Sequence, residues 1–169
     1  MTLMSKEREI RSYDYVNHPY ERVRDALAQD ALAVFQAATK NAASRARSVA
    51  AELHVNIAGL EIGTDISISV KNIEERAREM KASPATCLQL EWEAVKSPRL
   101  FPFMKAEFSI YSLTATETQL DFSGLYEPPL GALGSVMDTI VGHRIAEVSV
   151  HRFVTDVAAY LRTTLTATG

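Results

Sequence analysis

Side chains with acid–base chemistry recur at regular spacing in the C-terminal third of the sequence. His143, Glu147 and His151 follow one another at four-residue intervals, the spacing that brings side chains onto neighbouring turns of one helix face. A histidine beside a carboxylate can act as an acid–base pair, because the carboxylate fixes the tautomer and raises the basicity of the ring. The alternatives are an ion pair between His143 and Glu147, or contact of both with a ligand. Thr139 adds a hydroxyl one turn earlier.

The spacing of His143, Glu147 and His151 does not predict a metal site, and the sequence does not predict covalent catalysis. Residues four apart drift by about 40° around a helix, whereas a catalytic zinc needs three protein ligands that converge on one point. Cys87 is the only cysteine; it falls on the polar side of a predicted strand, and no Gly-x-Ser-x-Gly nucleophile motif is present. We therefore expect no metal, no cofactor and no nucleophile of these types.

Composition narrows the class of protein. The chain has 169 residues, of which 47% are hydrophobic and 23% charged, as in an ordinary globular domain. We expect one domain over residues 1–169, with 1–7 extended or disordered. The formal net charge of -3 argues against a nucleic-acid partner. No apolar run reaches the length of a membrane span, and the N-terminus lacks the apolar segment of a secretory signal, which favours a cytoplasmic protein.

The first third of the chain predicts a strand and two helices. Residues 8–16 contain Ile10, Tyr13 and Tyr15 and are typical of a strand. Residues 19–46 are rich in Ala, Arg, Glu and Gln, which favour helix. We predict a first helix after Pro19 and a second over 31–42.

From residue 48 the pattern alternates with period two, which predicts five consecutive half-buried strands and, with the first, a sheet of about six. The short connections favour antiparallel pairing, with turns at 58–63 and 113–117. Segment 72–83 is charged and predicts a loop or a short helix. The apolar positions of the strands are Val49, Ala51, Leu53, Val55 and Ile57; Ile66, Ile68 and Val70; Leu88, Leu90, Trp92 and Ala94; Met104, Ala106, Phe108 and Ile110; and Leu120, Phe122, Gly124 and Tyr126.

One long helix is predicted over about 130–165, with an apolar stripe that should cross the concave face of the sheet. The stripe comprises Val136, Ala146, Val150, Phe153, Val154, Val157, Leu161 and Leu165. A second apolar stripe, formed by Met137, Val141, Ile145 and Val148, falls roughly opposite. An apolar outer face predicts another partner surface, either in a homodimer or under a covering segment such as 72–83.

This order of elements resembles the START-like helix-grip superfamily, which includes the Bet v 1-type allergens and the polyketide cyclase/dehydrases. Two stretches carry the resemblance. Residues 15–23 (YVNHPYERV) are similar to the family's opening, in which a strand leads into a helix that starts near a proline. Residues 124–131 (GLYEPPLG), followed by 142–144 (GHR), resemble the turn into the long helix of bacterial members.

The resemblance implies an α+β fold in which a curved antiparallel sheet wraps a long C-terminal helix and leaves a cavity. The function it implies is binding of a small hydrophobic molecule or lipid. The alternatives are a cyclase/dehydratase that uses His143, Glu147 and Tyr126, and a protein-interaction or chaperone-regulating domain; whether the protein is an enzyme stays open. The expected cavity-lining residues are Trp92, Phe108, Ile110, Phe122, Tyr126, Thr139, His143, Glu147 and Val150.

Overall fold

The computed structural model describes residues 8–52, 66–81, 83–94, 104–126 and 136–167, with the side chains at 39–52, 66–67, 93–94, 136–142, 145 and 167 left aside. These residues form strands and helices in the order strand, helix, four strands, helix. The elements are β1 (Arg8–Val16), α1 (Tyr20–Glu52), β2 (Ile66–Arg76), β3 (Ala85–Ala94), β4 (Met104–Thr114), β5 (Glu117–Tyr126) and α2 (Val136–Ala167).

The described strands form one five-stranded sheet in the order β1-β5-β4-β3-β2, and every neighbouring pair is antiparallel. Both helices pack on its inner face, so the sheet is covered on one side and wet on the other, as antiparallel sheets often are. The α+β helix-grip prediction is thereby confirmed. So is the predicted β4–β5 turn, since β4 ends at Thr114 and β5 begins at Glu117.

The prediction of a strand over 49–57 is wrong for its first part. The backbone is helical as far as Glu52, and residues 53–57, like the predicted turn at 58–63, lie outside the described part of the chain. The alanines at this point fit either a strand or a helix. Ala51 supports an alternating apolar pattern, but Ala50 interrupts it, and alanine is also the strongest helix former. The predicted sheet of about six strands becomes five strands among the described residues.

The first helix bends at Asp30, whose φ of -151° and ψ of 38° are not helical. The bend divides α1 into two helical segments, which confirms two helices with the second starting at residue 31. This second segment continues to Glu52 rather than ending at 42. The buried positions of α1 recur every three or four residues and contact the core on both sides of the bend; they are Tyr20, Val23, Leu27, Ala31, Val34, Phe35 and Ala38.

Segment 72–83 is neither a loop throughout nor a helix. Its first half, up to Arg76, is the second half of β2, and a turn with Met80 in the left-handed conformation (φ 58°) follows. Because β2 is an edge strand, the residues from Lys71 to Arg76 are exposed on both faces, so no apolar face marks them as a strand. Charged residues are common on exposed edges because they oppose edge-to-edge association.

The predicted inward stripe of α2 is confirmed wherever its side chains are described. Seven of the eight predicted positions are buried; they are Ala146, Val150, Phe153, Val154, Val157, Leu161 and Leu165. They pack with the inner face of the sheet and with α1 in one hydrophobic core. In the described part of the chain, neither helix combines the length and the apolarity that a membrane crossing requires.

Candidate functional site

One row of directly paired residues crosses all five strands close to the end where β5 stops. Arg8 of β1 pairs with Tyr126, Tyr126 with Met104, Met104 with Trp92, and Trp92 with Ile68. Residues directly opposite each other in antiparallel strands present their side chains on the same face. Since Tyr126, Trp92 and Ile68 are buried, the row lies on the inner face. We call these five residues the Tyr126 row.

Helix α2 brings a histidine to the Tyr126 row. The Tyr126 hydroxyl and His143 Nδ1 are 2.6 Å apart and share a hydrogen bond. The two rings are stacked with centroids 6.0 Å apart. Tyr126 is buried, whereas His143 is half-buried. A phenol bonded to an imidazole can pass a proton in either direction, depending on the tautomer of the ring.

Burial sets the protonation state of Tyr126. Loss of solvation raises the pKa of its phenol above the usual value of 10.0, while the nearby Arg8 guanidinium opposes the rise through its charge and through a hydrogen bond. The carboxylate of Glu147 adds to the rise. Tyr126 is therefore a neutral phenol at physiological pH and can donate its proton in a hydrogen bond.

The indole N–H of Trp92 is a buried donor without an acceptor. Nε1 is shielded from solvent and has no hydrogen-bond partner in the described part of the molecule. The indole ring lies edge-on to Phe153, with centroids 4.8 Å apart, and tilted against Phe122 at 5.7 Å. Buried polar groups in native proteins almost always have partners, so this donor on the inner face is an exception that calls for an acceptor.

Aromatic side chains fill the inner face next to the Tyr126 row. Phe153 of α2 has its ring centroid 5.7 Å from Phe35, 6.3 Å from Phe108 and 5.9 Å from Phe122. Phe35 and Phe108 are themselves 5.3 Å apart. These distances are those of aromatic rings in direct contact, so the middle of the space between sheet and helix is a packed core.

The structure divides the predicted cavity-lining residues into two sets. Trp92, Tyr126 and His143 come together at the Tyr126 row. Phe108, Phe122, Ile110 and Val150 are buried in the aromatic and aliphatic core. Glu147 is exposed, and the side chain of Thr139 lies outside the described residues. None of these positions tests the cavity itself, so their role in lining it stays a prediction.

The predicted pairing of His143 with Glu147 is replaced by another arrangement. His143 bonds to Tyr126, and the exposed Glu147 carboxylate lies 3.9 Å from Arg144 on the same helix. His151 is exposed, and its Nδ1 is 3.5 Å from the Ser12 hydroxyl. Among the described residues, no group of His, Cys, Asp and Glu side chains is arranged to hold a metal ion.

Arg8 is a residue of this site that the sequence interpretation missed. Its signal was the alternation of β1, where Ile10 and Val16 are buried and Arg8 shares their face. An arginine at the start of a strand is ordinarily expected in solvent. The alternation gives the face of Arg8, but only the pairing of β1 with β5 puts the guanidinium beside the Tyr126 phenol.

Cys87 lies on the opposite face of the sheet, as predicted. The Ser109 hydroxyl donates to its Sγ at 3.7 Å, and the thiol is buried. The neighbouring Glu107 accepts hydrogen bonds from Gln89 at 2.7 Å and from Arg76 at 3.1 Å. These bonds and the charge of Arg76 lower the pKa of Glu107, although its burial acts in the opposite direction and is the largest single effect. This network stabilises the wet face and contributes nothing to the inner site.

The surface stripe predicted on α2 is largely untested. The side chains of Met137, Val141 and Ile145 lie outside the described residues, and Val148 is partly buried. A homodimer formed through this stripe therefore stays a prediction.

Comparison with known proteins supports the fold. No protein-family model matches the sequence, and no curated protein is significantly similar to it. Among solved structures, the chain is similar to the Zhui aromatase/cyclase from Streptomyces sp. R1128, with a TM-score of 0.52 and 15% identity over 97% of this chain and 99% of that one. A protein from Thermus thermophilus matches with a TM-score of 0.46 and 18% identity, over 96% of this chain and 100% of that one. Ara h 8.0201 matches with a TM-score of 0.45 and 7% identity, over 94% of this chain and 99% of that one.

At 15% identity the likeness to the aromatase/cyclase shows the fold alone. The chain has the helix-grip fold, in the same arrangement over almost the full length of both chains. Chemistry does not follow from a shared fold.

Proposed function

We propose that the protein binds a small hydrophobic molecule or lipid between the inner face of the sheet and α2, at the Tyr126 row. The observation that carries this proposal is the unpartnered, buried Trp92 Nε1 in the same row as the Tyr126–His143 hydrogen bond. Binding sites for small apolar ligands combine apolar walls with a few placed polar groups. The rest of the described inner face supplies the walls, and this row supplies the polar groups.

Binding is tested first on the protein as purified. Native mass spectrometry shows whether an excess mass is retained, and denaturing extraction identifies what is released. Titration with 1-aminoanthracene, a neutral fluorescent hydrophobe, then measures occupancy of the site directly. We expect saturable binding with one molecule per chain; the absence of saturable binding together with a clean apo mass would overturn the proposal.

A matched pair of variants on α2 locates the probe. Ala146 is buried one turn from His143, whereas Ala159 on the same helix is exposed. Ala146→Leu adds volume beside the Tyr126 row and should weaken 1-aminoanthracene binding by at least about tenfold, because overpacked sites do not readily accommodate a ligand. Ala159→Leu makes the same change in solvent and should leave the affinity unchanged. Equal affinities for both variants would place the probe elsewhere.

The second candidate is a cyclase/dehydratase-type enzyme, which the Tyr126–His143 hydrogen bond favours. In such a reaction a base removes a proton between two carbonyls, the enolate carbon attacks a third carbonyl to form a ring, and water leaves. In this candidate His143 takes the proton and Tyr126 donates to the developing alkoxide. Incubation with a linear poly-β-ketone thioester tests this candidate: aromatic product formed by wild type and lost in both Tyr126→Phe and His143→Ala would support it. Product equal to that of a protein-free control would exclude it for that substrate.

A further inference from the structure

We infer that the ligand carries an oxygen anion, a carboxylate or enolate, bound by Arg8 and Tyr126, and a second oxygen acceptor that reaches Trp92 Nε1. This inference rests on the proposed function and deepens it, because it names the chemical class of the ligand. The class is a flat apolar acid with a second oxygen on the far side of its ring system.

The first argument is the hydrogen-bonding character of the Tyr126 row. Arginine and tryptophan side chains are donors only. The phenol proton of Tyr126 is available to a ligand in the tautomer in which His143 donates from Nδ1 to the phenol oxygen. The other two members of the row, Met104 and Ile68, are apolar. The row thus offers donors without a carboxylate among its own members, and a ligand that matches it must bring acceptors.

The second argument is the charge around the row. Arg8 shares one face of β1 with the buried Ile10, and its guanidinium acts on Tyr126 through its charge and through a hydrogen bond. Among the described side chains of α2, the ionisable groups at this end are His143, Arg144 and Glu147, and the last two are exposed and lie 3.9 Å from each other. The Glu147 carboxylate also acts on Tyr126, but it is exposed and lies beside Arg144. The guanidinium of Arg8 bonds to the Tyr126 phenol, and this cation in direct contact with the row favours an anion.

The third argument is the unmet donor of Trp92. A buried N–H without an acceptor costs free energy that a ligand acceptor would recover. Trp92 and Tyr126 flank Met104 in the row, so their backbones are two strand spacings apart, about 10 Å. A ligand that contacts both residues therefore extends across the intervening strand, for which a two-ring aromatic system has a suitable length. The intervening Met104 side chain is flexible and polarizable and suits contact with a ring.

Three naphthalene probes separate the two parts of the inference. The probe 6-methoxy-2-naphthoate has both the anion and the second oxygen, 2-naphthoate has the anion alone, and methyl 2-naphthoate has no charge. Isothermal titration calorimetry should rank them in that order, with at least about tenfold between 2-naphthoate and its ester and several-fold between the two acids. Equal affinities for all three would overturn the inference and leave the proposed function standing.

Variants then assign each preference to its residue. Arg8→Met should remove the preference for acid over ester, whereas Arg11→Met, on the exposed face of the same strand and paired with Glu9 at 2.9 Å, should retain it. Trp92→Phe should remove the preference for the 6-methoxy compound and leave the acid–ester ratio unchanged. Retention of both preferences in these variants would overturn the inference. If none of the three probes binds the wild-type protein, that result counts against the proposed function as well.

Discussion

The two ends of the inner face differ in how their buried polar groups are satisfied. Near the β4–β5 turn, the hydroxyls of Tyr20 and Thr86 are 2.6 Å apart, and Thr118 donates to the carbonyl of His18 at 2.8 Å. At the opposite end, Trp92 Nε1 has no acceptor among the described residues. At the first end these polar groups bond to each other within the protein and contribute to stability. The second retains donors that a ligand can use, and the aromatic core separates the two.

The largest expected effect comes from the aromatic core between the ends. Phe153 is fully buried and contacts Phe35, Trp92, Phe108 and Phe122. Phe153→Ala should lower the free energy of unfolding by about 3–5 kcal/mol, because the substitution leaves a cavity and the surrounding rings cannot collapse into it. Urea denaturation measures the loss, and Phe153→Leu, which retains more of the volume, should lose clearly less. A loss below about 1 kcal/mol would mean that this region is not close-packed.

The next effect lies where the core meets the Tyr126 row. A Cβ at Gly124 would come within 2.8 Å of Phe122 Cε1 and 2.9 Å of Met104 Sδ. Gly124→Ala should therefore lower the free energy of unfolding by about 1–3 kcal/mol, the usual range for overpacking. In a Met104→Val background, which removes the sulfur, the same substitution should cost less. An unchanged urea midpoint for Gly124→Ala would indicate that the side chains around Gly124 can move to accommodate a methyl group.

A direct comparison of the two ends uses the same substitution at each. Tyr20→Phe leaves the Thr86 hydroxyl buried without its partner and should cost about 1–3 kcal/mol. Tyr126→Phe leaves the half-buried His143, which water can reach, and should cost only about 0.5–1.5 kcal/mol. Thermal or urea unfolding of both variants checks the order. Adding Thr86→Val to Tyr20→Phe should recover part of the loss, and a larger loss for Tyr126→Phe would reverse our assignment of the two ends.

The smallest effect concerns alkaline pH and uses Tyr111 on the outer face. Burial and its hydrogen bond to Asp121, 2.7 Å long, raise the pKa of Tyr111 from 10.0 to about 12. As the pH rises, the unfolded chain therefore releases this proton before the folded chain does. The contribution of Tyr111 to the free energy of unfolding is complete below pH 10 and is lost as the pH rises toward 12. Tyr111→Phe should make the alkaline decline of the unfolding free energy shallower by up to one proton. Superimposable pH profiles would show that Tyr111 does not contribute to it.

Elements with a clear period were predictable from the sequence. The inward stripe of α2 and the alternation of the strands β3 to β5 coincide with the buried residues, because 3.6-residue and two-residue periods each select a face without any tertiary information. Prediction failed where a period was missing or ambiguous. The residues around Ala50 and Ala51 were predicted as a strand but belong to α1. The exposed half of β2, up to Arg76, has no apolar face, so its sequence does not indicate a strand.

The candidate site was predictable only in part. Tyr126, Trp92 and His143 were selected by their faces, but the partner of His143 was expected to be Glu147, its neighbour along the helix. Local spacing favours (i, i+4) pairs. The observed partner, Tyr126, comes from another element, and a choice between a local and a distant partner depends on how α2 is docked on the sheet.

The sequence by itself determined which residues face inward, since that is a local property of each helix and strand. Only the tertiary structure decided that Arg8 lies beside Tyr126 and that Tyr126 bonds to His143. Strand order and register bring together residues that are far apart in the chain. They depend on the packing of all the elements together, which no single segment encodes.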